Sequence, residues 1–208
     1  MDWKTWALFV LLEGTLSLTP GPAVLFVLSQ GLKRGGRGSV WANLGILSGN
    51  LIYFALSATG VGAVLAGSHR LFVAIKWIGA AYLLWLGVSA WIGKAKPLAV
   101  KTEGGPVRSG PATLAHGVVM QLANPKALVF FTAFLPQFID PARPLLRQFA
   151  ILAATSAVLE FFILLAYGML AGQAARLAAE PRYAQILDRT AGAMLIGAAL
   201  MVAMIQRS

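Results

Sequence analysis

The chain of 208 residues contains no cysteine. Disulfides, thiolate metal sites and thiol catalysis are therefore excluded. Charge is also scarce: 12% of residues are Asp, Glu, Lys or Arg, against about 25% in an average soluble domain. So little polar surface would not cover a soluble core. Acids are rarer still, 7 against 17 Lys and Arg. The two histidines, His69 and His116, are far apart and lack metal-ligand spacing. Each reads as an ordinary polar residue, with His116 a lesser candidate for proton handling. No Walker-type glycine loop occurs, which disfavours ATP coupling within the chain. Paired acids, a Ser–His motif and a metal cluster are equally lacking, so the sequence does not read as an enzyme: no catalytic residue is assigned, and no metal or cofactor is expected.

What is abundant is apolar sequence, 58% of the chain. It falls into six runs: about Trp6 to Gln30, Ser39 to Ser68, Leu71 to Gly93, Ala112 to Ile139, Gln148 to Ala175, and Thr190 to Gln206, with Tyr183 to Asp188 as an extension of the last. Each approaches or exceeds the roughly 20 residues a membrane-spanning helix needs. Helices are the expected form, because an open strand edge in lipid leaves backbone groups unpaired. Buried helices of a soluble protein are the bland alternative. No cleaved leader is expected, since the first run has a glutamate and lacks a small-x-small cleavage pattern.

The net charge of +10 invites a nucleic-acid reading, but the basic residues lie in short loops between apolar runs. Loops one-two, three-four and five-six hold Lys33, Arg34, Arg37, Lys94, Lys96, Lys101, Arg108, Arg176, Arg182 and Arg189. The other side holds Lys4, Arg70, Arg143, Arg147 and Arg207. The richer set is expected in the cytoplasm and both termini outside it. Trp3, Trp6, Trp41, Trp77 and Trp91 fall near run ends, where amphipathic rings prefer the headgroups. The pairs Gly45/Gly49 and Gly168/Gly172 would let helices approach closely. The sequence leaves a homo-oligomer open.

The long polar linker at residues 94–111 separates three runs from three runs. An odd number per half predicts an inverted repeat, 1–93 against 112–208, within one transmembrane domain. The expected fold is thus an all-α integral membrane protein, six transmembrane helices in two inverted three-helix repeats. GPAVLFV (Gly21 to Val27) lays onto NPKALVF (Asn124 to Phe130), putting Pro22 on Pro125 in the first run of each half. Interruptions at corresponding positions point to a transport site; a tolerated kink is the alternative for each proline alone.

The motifs TPGP (Thr19 to Pro22), GAAYLLWLG (Gly79 to Gly87) and NPK (Asn124 to Lys126), in this order and over essentially the whole chain, resemble the LysE/RhtB family of amino-acid exporters. The resemblance implies export of an amino acid or close derivative from the bacterial cytoplasm across the inner membrane, driven by an ion gradient. It leaves the amino acid open, because similar members handle basic, hydroxylated or branched-chain substrates.

The residues suggest how. Pro20 and Pro22 cannot continue a regular helix. Thr19 is expected to cap a new half-helix, whose N-terminal N–H groups would suit a substrate carboxylate. Gly21 would let a ligand reach the backbone. Asn124 and Pro125 would do the same from the other half, and Lys126 would meet a carboxylate. Counted from the run starts, Gly21 lies roughly 24 Å in and Pro125 roughly 20 Å in from the opposite face, in the middle zone of a core about 30 Å thick. Three further charges inside runs are costly and usually functional or paired. Glu13 and Lys76 have similar depths, which permits an ion pair; a Lys76 that snorkels to the outer interface is the alternative. Glu160 would pair with Lys126, meet a substrate amine, or carry a coupling proton. Asn50, in the uncharged second run, lines a cavity or bonds a neighbouring helix. The expected partners are thus an amino acid, a proton and the lipid bilayer. A metal-cation exporter would need more converging carboxylates or histidines, and ranks below the amino-acid reading.

Overall fold

A computed structural model describes residues 1–67, 69–92, 109–173 and 181–204. Among them all regular structure is helical: α1 (Trp3–Leu18), α2 (Pro22–Gly67), α3 (His69–Ile92), α4 (Gly110–Leu122), α5 (Pro125–Val129), α6 (Leu145–Met169) and α7 (Pro181–Met204). Of the expected linker, residues 94–108 lie outside the described residues, as does the side chain of Lys76.

The breaks follow local chemistry. Gly35 has φ 63° and ψ −164°, a region only glycine enters without strain. It divides α2 into 22–34 and 36–67, where the sequence places its first basic loop. After α5 the chain tightens from a wide turn at Phe130–Phe134 to a narrow one at Leu135–Phe138, where Pro136 denies the helix a donor. Pro22–Thr59 and Leu145–Met169 are long and apolar enough to cross a membrane, and the pair Gly110–Leu122 and Pro125–Phe138, bent by 54°, makes a third candidate.

Helix α2 packs on α4 and α6, α3 packs on α7, and α1 packs on α6. Bare glycines set the α2–α4 spacing: a Cβ on Gly45 would meet the Leu114 carbonyl and come within 2.9 Å of Gly117 Cα. One apolar cluster gathers Phe9, Phe130, Phe131, Phe134 and Phe138, with Phe9 edge-on to Phe138 at 5.3 Å. A second joins Val24, Val27, Ile46 and Leu164. Between them lie buried polar side chains. Large apolar residues such as Trp3, Leu56, Ile78, Leu146 and Phe162 face outward, as lipid contact requires.

Candidate functional site

Both breaks obey the same rule. A residue before proline is pushed out of the helical region, and proline is favoured at the first helical position, where its missing N–H costs nothing. Thr19, at φ −71° and ψ 121°, therefore ends α1 before Pro20. Pro22 then opens α2, and Leu25 N–H donates to the Gly21 carbonyl at 2.9 Å. In the second break Asn124, at φ −78° and ψ 112°, precedes Pro125, which opens α5. Gly21 and Asn124 thus occupy the same N-cap position, and Pro22 and Pro125 the same first helical position.

Thr19 does not cap α2 as its sequence suggests. Its hydroxyl donates back to the Thr15 carbonyl at 2.8 Å. The cap must directly precede the first helical residue, Pro22, so the position falls to Gly21, which has no side chain to occupy the N–H groups there. Asn124 is a capping side chain: its Oδ1 accepts from Lys126 N–H at 3.0 Å. The carbonyls released by the breaks are met by tyrosines from other helices. Tyr167 OH donates to Leu18 O at 2.8 Å, and Tyr53 OH to Leu122 O at 2.7 Å.

A cleft with about 450 Å³ of free space, its opening included, lies beside both breaks. Glu13 of α1, Asn50 of α2, Asn124 and Lys126 of the second break, and Glu160 of α6 all line it, with Gln121 of α4. Thr19, Pro20, Gly21, Pro22 and Pro125 do not belong to the lining. They shape the backbone around it, and Gly21 lies beside Lys126, a Cβ there being 3.5 Å from Lys126 Nζ, an ordinary contact.

The Lys126–Glu160 ion pair weighed from sequence does not form. Lys126 Nζ donates instead to Leu16 O at 2.7 Å and Thr19 O at 3.0 Å, carbonyls at the negative end of α1. Among the described residues the ion pair within 4 Å is Arg143 with Asp140, at the surface. Glu13, 4% exposed, accepts from Ser156 Oγ at 2.6 Å. Glu160 accepts from Asn50 Nδ2. Gln121 Nε2 donates to Asn50 Oδ1 at 2.6 Å, and Asn124 Nδ2 donates to Gln121 Oε1 at 3.1 Å. No group of three or more His, Asp and Glu side chains gathers among the described residues.

Gln121 and Ser156 were not among the residues singled out from sequence. A signal existed for both: Gln121 lies three residues before Asn124 and Ser156 four before Glu160, spacings that share a helix face.

The model of the LysE type translocator family matches residues 15–206. The chain is 36% identical to an uncharacterized membrane protein of Vibrio cholerae, covering 98% of each chain. It is 32% identical to a homoserine/homoserine lactone efflux protein of Salmonella typhimurium, over 96% of this chain and 97% of the relative. A leucine efflux protein of an Enterobacter species is 33% identical over 69% of this chain and 68% of its own. No solved structure matches.

Proposed function

Because the chain belongs to the LysE type translocator family, we propose that it is a secondary exporter of an amino acid or close derivative, coupled to the proton gradient. Its relatives include efflux proteins for homoserine and for leucine. The observation that carries the reading is the cleft beside two proline-broken segments, where Glu13, Glu160 and Lys126 lie among buried amides. Charges inside a membrane are retained where they bind, relay or pair.

In this reading the substrate sits in the cleft with its carboxylate toward the first turn of α2 and Lys126. Gly21 leaves those N–H groups uncovered by a cap side chain, and a helix N-terminus favours an anion. Its amine faces Glu13 and Glu160. Glu160 carries the coupling proton. The chain crosses the inner membrane six times as two inverted three-helix repeats, 1–93 and 112–208, with both termini outside. The Lys and Arg distribution supports this orientation. The matching cap and proline positions of the two breaks support the repeat.

Cells loaded with dipeptides and overproducing the chain should lose one amino acid to the medium faster than control cells. A full amino-acid panel in which none moves overturns the export reading. For coupling, Glu160→Gln should stay folded in the membrane yet lose export driven by a pH gradient. Native export in that variant removes Glu160 from the coupling role.

A further inference from the structure

Three buried side chains connect the second break to Glu160. Lys126 backbone N–H donates to Asn124 Oδ1 at 3.0 Å, Asn124 Nδ2 to Gln121 Oε1 at 3.1 Å, Gln121 Nε2 to Asn50 Oδ1 at 2.6 Å, and Asn50 Nδ2 to Glu160 Oε2. The series begins at α5, crosses α4 and α2, and ends on α6. Asn124, Gln121, Asn50 and Glu160 are at most 7% exposed, so bulk water does not replace a lost link.

The backbone end imposes one sense on the series. A backbone N–H can only donate, so Asn124 must offer it the oxygen and turn its NH₂ to Gln121. Gln121 must then accept from Asn124 and donate to Asn50, and Asn50 must donate onward. At the far end Glu160 Oε2 accepts from Asn50 Nδ2, as that sense requires. Turning any one amide breaks both of its bonds and leaves buried groups unpaired, which is costly. Amides in series also polarise one another. The three therefore act as a unit.

We infer that Gln121 is a positioning residue that ties Glu160 to the capped start of α5, so that the carboxylate and the turn carrying Lys126 change state together. The inference deepens the transport reading and rests on it for its role in export. When the second break rearranges, Asn124 leaves its cap and Glu160 loses the donors behind it. Conversely, a proton on Glu160 Oε2 meets only an N–H of Asn50 and breaks the series at that end. The other charged groups at the cleft are Glu13 of α1, held by Ser156, and Lys126, held by the carbonyls of α1. Within the series, Gln121 is the link between α4 and α2.

The test reads the relay apart from transport. In the purified full chain, hydrogen exchange at the Lys126 amide is compared with the native chain at each pH. Gln121→Leu should speed it about fivefold, as the loss of a typical N-cap would. Asn50→Leu, two links away and not touching Lys126, should do the same. Glu160→Gln still offers Asn50 an acceptor and should leave the rate unchanged. Gln121→Glu covers the case in which Gln121→Leu does not fold. Its carboxyl, when protonated, accepts on one oxygen and donates from the other, so protection at Lys126 should return toward acid pH and be lost toward alkaline pH. Native exchange at Lys126 in a folded Asn50→Leu, or protection in Gln121→Glu that does not respond to pH, overturns the relay. In proteoliposomes, with L-homoserine and L-leucine as probes, export by Gln121→Glu relative to native should follow the same acid-favoured profile. A flat ratio overturns the link to export. If the native chain moves neither probe nor any other amino acid of a full panel while the exchange results hold, the relay stands and the transport reading fails.

Discussion

Lys126 reaches across the cleft to two main-chain carbonyls, Leu16 and Thr19, and so fastens the second break to the first. Sequence alone offers it a carboxylate or a substrate as partner, because carbonyls left over at a helix end are invisible until the end is located. Lys126→Met should therefore remove two bonds, leaving Thr19 O without that donor and Leu16 O with only the Thr19 N–H. We expect a loss of about 1–3 kcal/mol in stability, read as a lower melting temperature in detergent, together with loss of export. An unchanged melting temperature would mean that those carbonyls do without the ammonium. Glu13 follows the same lesson: its acceptor is satisfied by the hydroxyl of Ser156, 143 residues away.

At the scale of elements, two kinds of small detail hold the broken helices in place. The first is glycine. Gly45 and Gly49 both meet α4, and Gly168 meets Ser39, whereas a Cβ on Gly172 would meet nothing within 4 Å. The two sequence pairs are alike on paper, yet a chance spacing and a contact differ only in what lies opposite. Gly45→Ala should cost about 1–3 kcal/mol as overpacking, and Gly172→Ala should be neutral, in parallel melts of the two variants. The second detail is the tyrosine that covers a freed carbonyl. Tyr53→Phe keeps the ring stacked on Phe131, 4.9 Å between centroids, but removes the hydroxyl that donates to Leu122 O. Destabilisation of about 1–3 kcal/mol is expected. If Tyr53→Phe melts with the native chain, Leu122 O is satisfied without it.

The whole molecule is a multi-pass membrane protein, its regular structure helical throughout the described residues, and its orientation is open to a direct experiment. The absence of cysteine means any introduced thiol reports alone. Under the proposed orientation, Lys4→Cys should react with a membrane-impermeant maleimide added to intact cells. Lys101→Cys should react only after the cells are opened. The reverse pattern would invert the proposed topology.

The sequence by itself determined the solvent and the punctuation. Long uncharged runs cannot stay in water, and prolines after Thr19 and Asn124 must interrupt a regular helix, as a kink or an end, because both effects act within a few residues. That reach also brought Asn50, Asn124, Lys126, Glu13 and Glu160 into view, since polar groups stand out in apolar runs. Only the tertiary structure decided what those groups touch. Lys126 bonds to α1 carbonyls, Glu13 to Ser156, and Glu160 to an amide series through Gln121. Partners more than 70 residues apart in the chain are selected by how α1, α2, α4 and α6 pack. A hydrogen bond depends on ångströms of that packing, which no local pattern of residues carries.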